Sequence, residues 1–143
     1  MRGLFVFDLD DTLLCNGRVP RQTFHALRNL KAAGHAVVVI SCNALARVMV
    51  ALRGLGGYVD RVLQPTVRDE YRADLMAAAL AFAGSDFAHG PVYYFDDRQD
   101  NLDAVCAVHP FVHAIHVPDP YQLYASVRAA AATLRAAVIP VAS

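Results

Sequence analysis

The sequence has no excess of charge of either sign, because its 13 basic and 13 acidic residues give a formal net charge of zero. Such a chain has no overall field that attracts nucleic acid or an anionic membrane surface. A phosphorylated macromolecule could bind only through local charge. No run of residues approaches the ~20 apolar residues of a membrane-spanning helix, so we expect no membrane partner.

Cysteine is also scarce, and the three residues of this type are Cys15, Cys42 and Cys106. Their number is odd and no pair has the CxxC spacing, which argues against a disulfide framework and against a zinc site. The apolar start is only four residues long and runs into carboxylates, so it does not have the pattern of a secretory signal peptide. These features favour reduced thiols and a cytoplasmic location.

Linkers, internal repeats and low-complexity segments are absent too. A chain of 143 residues is long enough to bury an apolar core without disulfides or metals. We therefore expect one domain that covers residues 1–143.

What the sequence does contain is an alternation of short apolar runs with helical patterns. The runs predict strands, and the patterns between them predict helices beginning at Arg21, after Asn43, near Asp69, at Asp100 and at Pro120. The predicted strands cover residues 4–7, 36–40, 58–63, 92–95 and 111–117. In the second helix, the spacing predicts a buried face formed by Leu45, Val48, Met49, Leu52 and Leu55. This order predicts an α/β fold with a central parallel sheet and helices on both faces.

Three of the apolar runs end in polar residues of a consistent kind. Because the carboxyl ends of parallel strands lie at one edge of a sheet, these side chains can meet in one crevice. Several carboxylates and a hydroxyl make a hard oxygen cage, which suits Mg²⁺ rather than a soft metal. The residues concerned are Asp8 and Asp10, Ser41 and Asn43, and Asp96 and Asp97.

The same residues resemble the four motifs of the haloacid dehalogenase superfamily. They are Asp8-Leu9-Asp10-Asp11-Thr12 after a strand, Ser41 at the end of the second strand, a cationic residue before the last motif, and Phe95-Asp96-Asp97. The resemblance spans residues 4 to about 117. It implies the three-layer, Rossmann-like fold of that superfamily and an Mg²⁺-dependent phosphatase activity similar to that of the small magnesium-dependent phosphatases.

The resemblance also implies a role for each matched residue. Asp8 would be the nucleophile that forms an aspartyl-phosphate, and Asp10 would be the general acid and base. Mg²⁺ would be held by Asp8, the backbone carbonyl of Asp10 and Asp96, with Asp97 or Asp100 acting through water. Ser41 would donate its hydroxyl to a phosphoryl oxygen, with Asn43 beside it in the substrate-binding set. Asp11 is expected to be a bystander and Thr12 to bond locally in the turn.

The sequence departs from the superfamily pattern at one position. The family supplies a Lys between the second and fourth motifs, whereas the only Lys of this chain is Lys31, in the first predicted helix. Arg72, which lies in the expected place, is the preferred substitute, and Arg68 is the second choice. An arginine can neutralise a phosphate and bind it through two parallel hydrogen bonds, but it is not equivalent to lysine.

The spacing of the motifs leaves no room for a cap domain, because 33 residues separate Asp8 from Ser41 and 31 separate Ser41 from Arg72. We expect an open site whose substrate is a phosphoprotein, a nucleic-acid end or a small phosphomonoester. A homo-oligomer that completes the site is left open. Two other functions are weighed. A binding or regulatory protein with little catalysis would explain the missing Lys, whereas a dehalogenase is disfavoured because Asp10 is present.

Overall fold

The computed structural model describes residues 2–66, 71–84 and 90–138 of the chain. Short 3₁₀ turns, Gly56–Tyr58 and Pro120–Gln122, precede the third strand and the last helix. The elements are β1 (Leu4–Phe7), α1 (Arg21–Ala32), β2 (Ala36–Ile40), α2 (Ala46–Leu52), β3 (Arg61–Leu63), α3 (Arg72–Ala83), β4 (Val92–Asp96), α4 (Gln99–Val108), β5 (His113–His116) and α5 (Leu123–Val138).

The five strands form one parallel sheet in the order β3-β2-β1-β4-β5. β1 lies at its centre, and Phe7 is paired with Val39 of β2 on one side and Phe95 of β4 on the other. The carboxyl ends of β2, β1 and β4 therefore lie side by side at one edge of the sheet. The predicted parallel α/β sheet is confirmed.

Both faces of the sheet are covered, which explains why the central strands are apolar at every position. Alternate side chains point to opposite faces. Phe5 and Phe7 pack with residues of α1, α2 and α5, while Leu4 and Val6 pack with residues of α3 and α4. Among the described residues, no helix is both long enough and apolar enough to cross a membrane.

The packing of α2 differs from the prediction. Leu45, Val48 and Leu52 are 62%, 53% and 77% exposed, so the face predicted to be buried largely points to solvent. Ala46 and Val50 face the core instead. The strand at this edge, β3, has only three residues, so the sheet beneath α2 can cover no more than a narrow stripe of small side chains. Met49 packs partly against the core and Leu55 is buried, as predicted.

The start of α3 also differs. The helix begins at Arg72 rather than near Asp69, because Tyr71 is extended (φ −110°, ψ 172°) and is the capping residue. The backbone N–H of Tyr71 donates to the Asp74 carboxylate at 3.0 Å, which fixes this start. Asp69 and Arg68 lie outside the described residues. The strand predicted over residues 58–63 is shorter, because Tyr58 ends the 3₁₀ turn and β3 begins at Arg61.

Candidate active site

The carboxylates of Asp8 and Asp96 emerge next to each other where β1 and β4 end. The backbone N–H of Asp8 donates to the carbonyl of Phe95 at 2.9 Å, so Asp8 continues the pairing of the two strands. By the alternation of side chains along a strand, Asp8 is on the face of Val6, and Asp96 is on the face of Tyr94. That face is the one covered by α3 and α4, and α3 begins at Arg72.

Asp8, Asp96 and Asp97 form a cluster in which one carboxylate oxygen of each lies within 4.8 Å of the others. Asp8 is 2% exposed and Asp96 is fully buried, while Asp97 is half-buried. Three hard oxygen ligands at this spacing fit a divalent cation such as Mg²⁺. The cluster contains three of the four residues predicted to hold the metal.

Arg72 is in contact with this cluster. Its Nη1 donates to Asp8 Oδ1 at 2.6 Å and to the carbonyl of Ile40 at 3.1 Å, and it lies 3.5 Å from Asp96 Oδ2. Burial opposes the charge of the guanidinium, but the Asp8 carboxylate outweighs it and raises the pKa of Arg72. Within the described part of the chain, only Nη1 of Arg72 makes hydrogen bonds, so three of its five N–H groups remain to bind an oxyanion.

One guanidinium does not balance the buried negative charge of this cluster. Burial raises the pKa of Asp8 to about 7; the charge of Arg72 opposes this shift, and the charge of Asp96 adds to it. Burial also raises the pKa of Asp96 above its ordinary value. Because a carboxylate must be ionised to act as a nucleophile or a ligand, the site favours a cation that would hold Asp8 and Asp96 in that form.

Thr12 connects the turn after β1 to the end of β4. Its hydroxyl donates to Asp8 Oδ2 at 3.1 Å and accepts from the backbone N–H of Asp97 at 3.1 Å. Thr12 is fully buried, so its hydroxyl takes the place of water as the hydrogen-bond partner of Asp8 Oδ2 and of the Asp97 N–H. The predicted local bond is therefore only part of its role, because Thr12 also joins two segments that are 85 residues apart in sequence.

Replacing Thr12 by valine tests this connection. The change keeps the shape of the side chain but leaves the partly buried N–H of Asp97 without its acceptor, so we expect the free energy of unfolding to fall by about 1–3 kcal/mol. Denaturant unfolding of both proteins measures the loss. Thr133→Val is the control, because Thr133 is exposed on α5 and bonds only within the helix. Equal stability of Thr12→Val and wild type would contradict the assigned role.

Tyr94 is a residue of the site that the sequence analysis does not identify. It is fully buried, and its hydroxyl donates to Asp96 Oδ2 in a short hydrogen bond and lies 3.4 Å from Arg72 Nη1. Burial raises the pKa of Tyr94 above its usual range, so the hydroxyl keeps its proton. The period of two along β4, which puts Tyr94 and Asp96 on one face, is the sequence signal that could have revealed it.

Asp10, Ser41 and Asn43 form the side of the site next to β2. Asn43 Nδ2 lies 3.4 Å from Asp10 Oδ2, and the buried Ser41 hydroxyl accepts from the backbone N–H of Asn43 at 3.1 Å. Asn43 also accepts from the backbone N–H of Leu45, as expected of a residue that starts a helical segment. The Asp10 carboxylate is exposed and is not part of the three-carboxylate cluster.

Two further acidic residues point away from the cluster. Asp11 is exposed and has a left-handed backbone (φ 61°), which aspartate tolerates in tight turns. Asp100, the alternative to Asp97 as an outer ligand, is exposed and paired with Arg98 at 2.8 Å. Asn101 lies closer, because its Nδ2 donates to both oxygens of Asp96 at 3.3 and 3.1 Å.

The segment between the first site residues and α1 contains a very small hairpin. Cys15 and Arg18 pair across Asn16 and Gly17, which both have positive φ angles, 51° and 74°. An Asn-Gly pair in this conformation is the favoured two-residue hairpin turn. The segment from Asp8 to α1 thus consists of a turn and this hairpin.

No protein-family model matches the sequence, and no curated protein shows significant sequence similarity to it. The fold, in contrast, is similar to several solved structures. The N-terminal part of a Bacteroides fragilis protein, described as containing a phosphatase domain and complexed with Mg, matches with a TM-score of 0.67 and 16% identity. The match covers 88% of this chain and 39% of that one.

Two other matches support the same fold. The core domain of a putative phosphoglycolate phosphatase from Streptococcus pneumoniae has a TM-score of 0.62 at 16% identity, over 93% of this chain and 97% of that one. A chain of the Pnkp1/Rnl/Hen1 RNA repair complex has a TM-score of 0.56 at 20% identity, over 81% and 42% of the two chains. The chain shares the predicted α/β fold with these solved structures, two of which are described as phosphatases, and it spans less than half of two of the three.

Proposed function

We propose that this chain is an Mg²⁺-dependent phosphomonoester phosphatase in which Asp8 forms an aspartyl-phosphate. The observation that carries the proposal is the buried Asp8, held 2.6 Å from Arg72 and within 4.8 Å of the carboxylates of Asp96 and Asp97. Charge neutralisation and positioning are most of what phosphoryl transfer requires. The shared fold with structures described as phosphatases, one of them complexed with Mg, supports the same function.

Mg²⁺ fits the donors that are present. Asp8, Asp96 and Asp97 would hold it, with the backbone carbonyl of Asp10 as a fourth oxygen. When bound, the ion would draw charge from the phosphoryl oxygens and lower the repulsion between the phosphate and Asp8. Burial raises the pKa of Asp8 to about 7, so without a cation a large fraction of Asp8 would be protonated at neutral pH. A bound cation would keep Asp8 ionised.

The chemistry then divides between Asp8 and Asp10. A carboxylate oxygen of Asp8 attacks phosphorus, the bond from phosphorus to the ester oxygen breaks, and Asp10 gives its proton to that leaving oxygen. Asp10, now ionised, takes a proton from a water whose oxygen attacks the aspartyl-phosphate. Inorganic phosphate leaves and Asp8 is restored. The exposed position of Asp10, outside the metal cluster, suits a group that exchanges protons with substrate and water.

Arg72, Ser41 and Asn43 would bind the phosphoryl oxygens. The three N–H groups of Arg72 that have no acceptor among the described residues offer the forked geometry that matches two oxygens of a phosphate. The Ser41 hydroxyl accepts from Asn43, which leaves its own proton for a phosphoryl oxygen. In this proposal Arg72 takes the position for which the superfamily uses a lysine.

The proposed substrate is bulky, such as a phosphoprotein or the phosphorylated end of a nucleic acid. The two-residue hairpin between Asp8 and α1 is too short to cover a ligand, and the motif spacing predicts no cap domain. The exposed side chains of Leu45, which precedes α2, and of Val48 and Leu52 on α2 offer apolar contacts to a large substrate. An open site of this kind leaves selection to the substrate itself or to a neighbouring copy of the chain.

Phosphate release tests this function. We expect the purified chain to release phosphate from an aryl phosphate and from at least one class in a panel of phosphopeptides, 5′- and 3′-phosphorylated oligonucleotides and sugar phosphates. A chelator should lower the rate at least about 100-fold, because without the ion the phosphate meets uncompensated carboxylates. Added Mg²⁺ should restore the rate.

The alternative is a protein that binds phosphorylated partners without hydrolysing them. It would be favoured if calorimetry showed binding of Mg²⁺ and of a phosphate mimic while no substrate in the panel released phosphate. Absence of both binding and release would contradict the phosphatase proposal altogether.

A further inference from the structure

We infer that Tyr94 is a positioning residue, whose buried hydroxyl fixes Asp96 and Arg72 relative to each other so that one can hold the metal while the other faces the phosphate. This inference rests on the proposed function and adds to it a residue outside the four motifs. It is carried by hydrogen bonds among two fully buried side chains of β4, Tyr94 and Asp96, and the partly buried Arg72 at the start of α3.

The donor and the acceptor of each hydrogen bond follow from which groups carry a proton. Arg72 can only donate, so in its 3.4 Å contact with Nη1 the Tyr94 oxygen is the acceptor, and it shares one of the two Nη1 N–H groups with the shorter bonds to Asp8 and Ile40. The single proton of the hydroxyl is then free to point at Asp96 Oδ2, with which it makes the short bond. The Tyr94 hydroxyl therefore accepts from the guanidinium and donates to the carboxylate, so it contacts both groups at once.

The Asp96 carboxylate is held from several directions, and Tyr94 supplies the bond that faces Arg72. The backbone N–H of Arg98 donates to Oδ1 at 2.9 Å, and Asn101 donates to both oxygens. Among the described residues, Oδ2 without the Tyr94 hydroxyl would keep Asn101 and the longer 3.5 Å approach of Arg72. The carboxylate could then rotate toward Arg72 and away from the geometry that holds a cation. Groups that orient a ligating carboxylate typically change metal affinity 10- to 100-fold when removed.

The arrangement also explains how this chain accommodates an arginine. Nη1 lies among three acceptors, which are Asp8 Oδ1, the carbonyl of Ile40 and the Tyr94 hydroxyl. The Tyr94 oxygen thus helps to fix the plane of the guanidinium, which a lysine ammonium would not require. The expected consequence is that Tyr94 supports both metal binding and the orientation of Arg72.

Tyr94→Phe tests the inference, with Tyr93→Phe as the matched control. Both changes remove one hydroxyl and keep a ring in the same strand, but Tyr93 points to the opposite face and stacks on Phe5. We expect Tyr94→Phe to bind Mg²⁺ about 10- to 100-fold more weakly by calorimetry, with a matching loss for Mn²⁺ by electron paramagnetic resonance. Tyr93→Phe should bind like wild type.

The outcomes separate this inference from the proposed function. If wild type binds no divalent ion, the proposed metal site fails. If wild type and Tyr94→Phe bind with equal affinity, the inference fails while the phosphatase proposal stands. A measurement on wild type covers the case in which the variant does not fold: the NMR signal of the hydrogen-bonded Tyr94 hydroxyl proton should shift when Mg²⁺ binds. An unchanged signal at saturating Mg²⁺ would overturn the inference.

Discussion

Asp8→Asn is expected to lower phosphate release at least about 10³-fold, because an amide does not supply the anionic oxygen that attacks phosphorus. Rates with an aryl phosphate and Mg²⁺, measured in single turnover, report this loss directly. Asp11→Asn is the control, since Asp11 is an exposed carboxylate in the same turn and asparagine also tolerates its left-handed backbone. Wild-type activity in Asp8→Asn would show that Asp8 is not the nucleophile.

The same substitution should stabilise the metal-free protein at high pH. The pKa of Asp8 in the folded chain is about 7, above the ordinary 3.8, so the folded state binds this proton more tightly than the unfolded state. That contribution to stability is fully present below about pH 4 and is lost as the pH rises through about 7. Asparagine has no such ionisation, and it leaves Arg72 facing Asp96 alone.

We therefore expect the melting temperature of Asp8→Asn, relative to wild type and with a chelator present, to be at least about 5 °C higher at pH 8 than at pH 5. Thermal unfolding followed by circular dichroism at both pH values measures the difference. A lower melting temperature for the variant at pH 8 would mean that the ion pair with Arg72 outweighs the cost of burying Asp8.

The central part of the fold can be predicted from the sequence because it is buried on both sides. Residues 4–7, 36–40 and 92–95 are apolar at every position, as expected of parallel strands covered by helices, and the structure places them at the centre of the sheet. The buried face of α2 cannot be predicted in the same way. Leu45 and Leu52 have helical spacing, but whether they are buried depends on how much sheet lies beneath them.

Some contacts of the site can likewise be predicted from the sequence, and others cannot. The approach of Asp8, Asp96 and Asp97 follows from one rule, that neighbouring parallel strands end at one edge. The position of Arg72 beside them agrees with the expectation from the motif order. Tyr94 lies in an apolar run that predicts only a strand, so the sequence analysis does not identify its hydroxyl as part of the site.

Other contacts of the site have no local signal. The hydroxyl of Thr12 bonds to Asp97, and this bond depends on the separation of β1 and β4 in space. Likewise, the separation of the Asp10 carboxylate from the metal cluster depends on the turn after β1, in which Asp11 is left-handed. Such contacts can be found only once the strands are placed.

Arg72→Ala is expected to lower kcat/KM by about 10²–10³-fold, a loss typical of removing a group that stabilises transition-state charge. Arg72→Lys should recover part of this loss, because it keeps the charge, but should remain about 10-fold below wild type because it lacks the fork. Arg128→Ala is the control: Arg128 is exposed on α5, which packs on the opposite face of the sheet.

The division of the loss between kcat and KM decides what Arg72 does. If the guanidinium only attracts the ground-state phosphate, Arg72→Ala should raise KM and the inhibition constant of inorganic phosphate while kcat is kept. If the guanidinium also stabilises the negative charge that develops on the phosphoryl group in the transition state, kcat should fall as well. We expect the second result, because Nη1 is held by Asp8 and Ile40, and the N–H groups on Nε and Nη2 of such an anchored guanidinium are already oriented when the phosphoryl group moves. Full activity in Arg72→Ala would instead mean that another cation supplies this charge, and it would remove Arg72 from the catalytic set.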